Sequence, residues 1–118
     1  MIFSKSIITF IRGDDDVLLV ALSDGITFKP GDKVFFSLKD VADNEIDIFQ
    51  IESTTFVPYN GVEDAAASIS IPHEATIELD VGDYYYDILI EWADGTYATV
   101  IRPTKFKLVP GGSHDDTV

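Results

Sequence analysis

The sequence predicts an all-β chain, an antiparallel β-sandwich of about seven to nine short strands, and three observations predict it. From Tyr84 the chain alternates strictly: Tyr84, Tyr86, Ile88, Ile90 and Trp92 share one face, and Tyr85, Asp87, Leu89 and Glu91 the other. Period two over that length reads as a strand with one face in a core. Just upstream, Leu79-x-Val81-Gly82-x-Tyr84 has the spacing of a tyrosine corner. There a Tyr hydroxyl bonds back to the backbone as the chain crosses between the sheets of an immunoglobulin-like sandwich, and Gly82 supplies a residue tolerant of positive φ. Finally, short β-rich runs recur between turn signals, with no long amphipathic helix and no βαβ alternation, which excludes the usual α/β enzyme architectures.

Taken in order, Ser6 to Arg12 reads as a first strand, with Ile7, Thr9 and Ile11 on one side and Ile8 and Phe10 on the other. Apolar residues on both faces predict burial on both sides, or an edge covered by a partner. Gly13-Asp14-Asp15-Asp16 breaks the run. Val17 to Leu22 is apolar and β-branched, which predicts a buried strand. Ser23-Asp24-Gly25 is a turn, and Lys29-Pro30-Gly31-Asp32 suits a type II turn. Lys33 to Lys39 is a strand pointing Val34, Phe36 and Leu38 one way; after the polar turn Asp40 to Glu45, the next strand covers Ile46 to Ile51. Thr54 to Ala66 is the least regular part, and the run Glu63 to Ala67 is compatible with one helical turn. Ser68 to Ile71 resumes strand character until Pro72. Asp94-Gly95 is a hairpin signal of the type I′ kind, with φ positive at both positions. Thr96 to Arg102 pairs back on the central strand, Pro103 breaks or bends it, and Phe106 and Leu108 face inward. Trp92 is expected on the core side with Ile88 and Ile90.

The 118 residues predict one domain, residues 1–110, followed by a flexible acidic tail, residues 111–118. A net charge of −13 argues against nucleic acid and against anionic membrane surfaces, since no basic stripe is present to meet phosphates. It favours solubility and a neutral or basic protein partner. With no cysteine, no disulfide ties the sheets, and the core stands on packing. The N-terminus lacks an apolar signal region and no apolar run approaches the ~20 residues of a membrane helix, so a soluble protein made in the cytoplasm is expected.

Chemistry-bearing constellations are sparse. The histidines, His73 beside a bend and His114 in the tail, have no announced nucleophile or partner, so a Ser-His-Asp triad is not supported, nor is a zinc site. Acidic groups at Asp14-Asp15-Asp16, Asp43-Asn44-Glu45-x-Asp47 and Asp115-Asp116 lack the spacing of a calcium loop and read as solvated turns. No pair of carboxylates is placed across a cleft as glycoside hydrolysis needs. Arg12-Gly13-Asp14 spells an adhesion tripeptide but reads as a strand end and turn. No catalytic, metal or cofactor-binding residue is assigned, and an enzyme is not expected. The residues assigned structural roles are Leu79, Gly82, Tyr84, Trp92, Asp94 and Gly95. Those assigned to a candidate interface are Ile2, Phe3, Ile8 and Phe10 at the first strand, with Tyr85 and Tyr97 as exposed aromatics.

The order of motifs resembles one family. Ile11-Arg12-Gly13-Asp14 comes first, then Asp24-Gly25 ahead of Gly31-Asp32-Lys33-Val34-Phe35-Phe36. Leu79-x-Val81-Gly82-x-Tyr84-x-Tyr86-Asp87-Ile88 and Asp94-Gly95-Thr96-x-x-Thr99-Val100 follow. This is similar to the N-terminal immunoglobulin-like domain of the baseplate upper proteins of bacteriophages and prophages of Gram-positive bacteria, over roughly Ser6 to Val109. The resemblance implies a structural docking module of a phage tail. Such a module holds a receptor-binding or fibre-like part on the baseplate, contacts other tail proteins, forms a homo-oligomer, and is incorporated in the virion after synthesis in the bacterial cytoplasm. It implies no catalytic residues. The chain ends at Val118, without the family's long C-terminal fibre region, so it reads as a stand-alone tail accessory protein or a piece of a longer chain. The alternative reading is a bacterial carbohydrate-binding or cell-surface adhesion module, with Tyr97 as its aromatic contact.

Overall fold

The computed structural model describes residues 1–4, 6–22, 26–41 and 46–111, and of residues 2–4 the backbone. The turn expected at Ser23-Asp24-Gly25, the acidic group Asp43 to Glu45, and the tail from Gly112 with His114, Asp115 and Asp116 lie outside the described residues, as do the side chains of Ile2 and Phe3.

Among the described residues nine strands and one helical turn follow in order. They are β1 (Ile2–Ser4), β2 (Ile7–Ile11), β3 (Asp16–Ala21), β4 (Lys33–Lys39), β5 (Phe49–Ser53), β6 (Phe56–Tyr59), β7 (Val62–Ile71), α1 (His73–Thr76), β8 (Gly82–Glu91) and β9 (Tyr97–Val109). They form a six-stranded sheet, β1-β2-β9-β8-β4-β5, and a three-stranded sheet, β3-β7-β6. Both sheets send their inward residues into one core, so the all-β, two-sheet expectation holds. Pairing is antiparallel except between β2 and β9, which run parallel with Ile8 opposite Phe106 and Phe10 opposite Leu108. No described helix is long and apolar enough to cross a membrane.

Period-two patterning builds the core. Val34, Phe36 and Leu38 of β4 meet Tyr86, Ile88 and Ile90 of β8, and all six are fully buried. Leu18, Val20, Ala67, Ile69 and Ile71 close the core from the smaller sheet. Aromatic rings fill its width: Phe36 stacks on Tyr86 with centroids 5.4 Å apart, and Phe10 on Phe106 at 5.7 Å. Such offset stacks add to the area they remove from water.

Several expectations are corrected. β3 is not buried on both faces. It alternates, with Val17 and Leu19 46% and 48% exposed, because no described residue covers the outer side of the three-stranded sheet there. The stretch read as irregular with a helical turn is the β6–β7 hairpin, and residues Glu63 to Ala67 are extended. Its turn, Asn60-Gly61, has φ of 51° and 79° between the paired residues Tyr59 and Val62. This is the turn with both central φ positive that Asp94-Gly95 was expected to form. At the latter, Gly95 N donates to Trp92 O at 2.9 Å and Trp92 N to Thr96 O at 2.8 Å, with φ positive at Gly95 alone. That is the three-residue hairpin loop, and the Asp94 carboxylate fastens it by accepting from Thr96 N and Oγ1 at 2.9 and 2.6 Å. The strand expected from Ile46 starts at Phe49. Pro103 does not end β9. Two residues, Arg102 and Pro103, stand opposite Asp87 alone, and a second extra residue, Val100, follows one step on. A bulge is where a proline can sit in a strand without removing a ladder bond.

The Pro30-Gly31 turn is as expected, with Asp32 N bonded to Lys29 O at 3.1 Å and φ of 96° at Gly31. The backbone bond expected from the Leu79…Tyr84 spacing is present: the Tyr84 hydroxyl donates to Asp80 O. Tyr84 is only half-buried, and Gly82 takes φ of 148°. Trp92 is half-buried against the core, 6.3 Å from the Phe28 ring.

Candidate functional site: the outer face of the six-stranded sheet

Most polar side chains with buried atoms tie the fold together. The Asp32 carboxylate, 2% exposed, accepts from Lys29 N and from Ala93 N, both at 2.8 Å, and so clamps the β8–β9 hairpin to the Pro30-Gly31 turn. Thr76, fully buried, accepts from Gly13 N at 2.9 Å. Arg12 donates to Leu79 O at 3.2 Å. The Arg12-Gly13-Asp14 tripeptide is therefore a clasp between β2 and the segment entering β8. The Tyr86 hydroxyl donates to Ser6 O, and burial pushes its pKa up to about 12. None of these four residues announced its role in the sequence except by type. His73 is exposed beside Asp15 and Glu74, 3.5 and 3.4 Å away. Among the described residues no three His, Cys, Asp or Glu side chains gather as a metal site.

The candidate interface residues separate. Ile8 and Phe10 are fully buried, packed against Phe106 and Leu108 by the parallel pairing with β9. The core takes them, and the expectation that they face a partner is corrected. Tyr85 is half-buried and Tyr97 is 63% exposed. Both lie on the outer face of the six-stranded sheet, in phase with Asp87, Leu89 and Glu91.

The registers of β5, β4, β8 and β9 arrange that face in five rows. Asp83 and Lys107 form the first. Lys39, Tyr85 and Lys105 form the second. Gln50, Ser37 and Asp87 form the third, Glu52, Phe35, Leu89 and Thr99 the fourth, and Lys33, Glu91 and Tyr97 the fifth. At the third row the bulge holds β9 out of register, and a depression of about 360 Å³ opens there, lined by Ser37, Lys39, Asp47, Gln50, Asp87, Leu89, Thr99 and Pro103. Gln50 Nε2 donates to Ser37 Oγ at 3.0 Å. Lys39 Nζ stands 2.8 Å from Asp47 and 3.8 Å from Asp87. Its pKa is raised, chiefly by the bond to Asp47. Burial raises the Asp87 pKa, with Lys39 opposing the rise, so Asp87 is an incompletely compensated carboxylate on the floor of the depression.

Charge sorts unevenly over the molecule. The strand positions of this face carry Lys33, Lys39, Lys105 and Lys107, half of the chain's eight basic side chains, but only Glu52, Asp83, Asp87 and Glu91 of its twenty-one acidic ones. Arg102, which stands with Pro103 opposite Asp87, adds one positive charge and Asp47, which reaches in beside Lys39, one negative, so the face is neutral and the whole −13 falls on the rest of the chain. The outward residues of β2, Ile7, Thr9 and Ile11, continue the face without charge. Such a surface, with apolar and aromatic side chains among balanced charges, can lie against another protein, and it holds no nucleophile–base pair.

Comparison with protein-family models finds no family that matches this chain, and comparison with curated proteins finds no match.

Proposed function

We propose that this protein is a structural interaction module of a bacteriophage or prophage tail, an immunoglobulin-like sandwich that docks to other virion proteins at the baseplate and performs no catalysis. The observation that carries the docking reading is the neutral outer face of the six-stranded sheet in a chain of net charge −13, with Tyr97, Tyr85, Phe35 and Leu89 among its balanced charges. Interfaces favour aromatic residues and deplete uncompensated charge. The immunoglobulin-like reading is supported by the strand order. Sheet β3-β7-β6 follows the order B-E-D and sheet β9-β8-β4 the order G-F-C, with the tyrosine corner entering the F position. The tail assignment rests on the motif order set out above. It is tested by co-expressing the chain with the products of the neighbouring genes and measuring complexes by pull-down and light scattering. The expected result is a complex with a tail protein, lost in Leu89→Lys. Neighbours unrelated to tails, or a complex indifferent to that substitution, would overturn the reading.

A second reading, a bacterial carbohydrate-binding module, is favoured by one feature: the depression beside Leu89 and Pro103 presents carboxylate, amide and hydroxyl groups together. Glycan-array binding lost in Tyr97→Ala and in Gln50→Ala would select it over docking.

A further inference from the structure

We propose that the open edge of β3 is a strand-addition site. It takes an extended segment of another protein, with apolar side chains at alternate positions and Lys or Arg at both ends. This surface is separate from the outer face of the six-stranded sheet, and its test is independent of that contact.

β3 ends the three-stranded sheet. Among the described strands it pairs with β7 alone, in unbroken register from Asp16 opposite Ile71 to Ala21 opposite Ala66. One bond shows which way its backbone faces. Val17 N donates to the Asp16 carboxylate at 2.8 Å, so it does not point to β7. An antiparallel ladder alternates, and Leu19 and Ala21 therefore also turn N–H and C=O toward the open side. The side chains of Val17, Leu19 and Ala21 are exposed on the outer face.

Such an edge draws another strand unless something guards it. The other described edges are guarded. β1 has three residues, and β5 carries Glu52. β6 carries Pro58 at a register shift. The part of β9 beyond its pairing with β2 holds Pro103 and two register shifts. β3 from Val17 to Ala21 has no charge, proline, glycine or bulge. In the immunoglobulin-like order A-B-E-D a strand lies beside B. Here β1 and β2 belong to the six-stranded sheet, and no described strand takes the place beside β3. A cavity of about 240 Å³ opens against β3, bounded by Leu18 to Ala21 and by Tyr59, Val100 and Ile101. Its mostly apolar walls can receive the side chains along one side of an added strand.

Charge chooses the occupant. Asp14-Asp15-Asp16 stands at the start of β3. Glu63 and Asp64, in β7 just past Ala66, stand at its end. The first group includes the Met1 amine, 2.8 Å from Asp16, with Arg12 and Glu74 close by; the second includes Lys29, whose neighbour Phe28 bonds Asp64 O. Each end stays net negative. An uncharged strand between two acidic ends selects a segment with basic residues at both ends and none between. It also selects against β3 of a second copy, because an antiparallel β3–β3 pair sets Asp14 to Asp16 of each copy toward Glu63 and Asp64 of the other. Main-chain bonds supply the affinity of such a contact, and alternate side chains its specificity.

The probe is a fluorescein-labelled peptide, Lys-Lys-Val-Thr-Val-Thr-Val-Thr-Lys-Lys, titrated to about 1 mM against the intact chain. Salt is held at about 0.15 M, where charges are screened beyond ~8 Å. The expected result is saturable binding by fluorescence anisotropy, with slowed amide exchange at Leu19 and Ala21. N-methylation of every second peptide residue, made in both phases, should weaken binding at least about tenfold in the phase that faces β3. Leu19→Pro removes the outward N–H without taking a bond from the β7 ladder, and should weaken binding about as much. Trp92 fluorescence reports that the variant is folded, and the N-methylated peptides decide the matter on the parent chain if it is not. The peptide with Glu in place of Lys should not bind. Absence of binding up to ~1 mM, binding indifferent to N-methylation in both phases, or equal binding with Glu ends overturns the inference. A chain that binds a tail protein through Leu89 but not this peptide keeps the docking reading and loses this inference.

Discussion

Asp32→Ala removes the acceptor that joins two turns from opposite ends of the chain. In the native protein each carboxylate oxygen takes one backbone N–H, Lys29 N and Ala93 N, at 2.8 Å, and the side chain is 2% exposed. A hydrogen bond to a charged group contributes about 1.5–3 kcal/mol, and a buried donor left without a partner costs ~1–3 kcal/mol. Two such bonds set an upper range of roughly 3–6 kcal/mol. Solvent reduces it, because two open grooves, one along Trp92 and Ala93 and one along Phe28 and Phe56, both reach Asp32. Water entering them can serve the stranded amides. The loss is therefore placed at about 3 kcal/mol. With a urea slope of ~1.5 kcal/mol/M, the unfolding midpoint should fall by about 2 M with the slope unchanged. Asp32→Asn should not rescue it, since its NH₂ group would face an amide donor. Because Ala93 adjoins Trp92, the native fluorescence of the single Trp should shift in the variants before global unfolding. A loss below ~1 kcal/mol in Asp32→Ala would refute the reasoning and make the clamp an incidental contact.

Three further outcomes follow from local geometry. Asp87 has a pKa raised chiefly by burial. Its contribution to stability is thus fully present below the unfolded carboxylate value and is lost as pH rises through the folded one. Asp87→Asn should therefore be more stable than the parent at neutral pH and equal to it near pH ~3. Urea titrations at the two pH values decide this, and equal midpoints at neutral pH would refute it. Tyr84→Phe removes the corner bond to Asp80 O and, at a half-buried site, should cost on the order of 1 kcal/mol; an unchanged midpoint would show that the corner contributes nothing. Gly61→Val places a β-branched residue at φ of 79° with open space around it. It should cost roughly 1–2 kcal/mol through backbone strain alone, whereas Asn60→Gly should change the midpoint little.

How much of this was legible in the sequence depends on whether a signal was local. Alternation placed Val34, Phe36 and Leu38 and Tyr86, Ile88 and Ile90 in the core, where all are buried, because period two states which face a strand presents. The corner spacing at Leu79, Gly82 and Tyr84 was legible for the same reason, since its hydrogen bond closes within four residues. The hairpin turns were not separable by dipeptide. Asn-Gly and Asp-Gly carry the same φ signal, and the Asp94 carboxylate draws its turn into the longer loop by bonding Thr96, while Asn60-Gly61 closes the tight one. The helical reading of Glu63 to Ala67 rested on composition. Pairing of Ala66 and Ala67 with both β3 and β6 overrides so short a preference.

The face proposed as the interface was illegible for a different reason. Its rows combine residues separated by up to about seventy positions, such as Lys33 and Tyr97 flanking Glu91, and no window along the chain displays their charge balance. The sequence pointed instead to the first strand, because Ile7, Ile8, Phe10 and Ile11 are apolar on both sides. The parallel pairing of β2 with β9 resolves that pattern: one side of the strand enters the core, and the other, Ile7 and Ile11, borders the neutral face. The apolar surplus and the absence of net charge thus mark two parts of one surface. A substitution at Ile11, exposed at the edge of that surface, is the means of finding whether the contact extends across β9 onto β2. Ile11→Lys should weaken the complex with the tail protein if β2 belongs to the docking contact. An unchanged complex would confine it to the rows between β9 and β5.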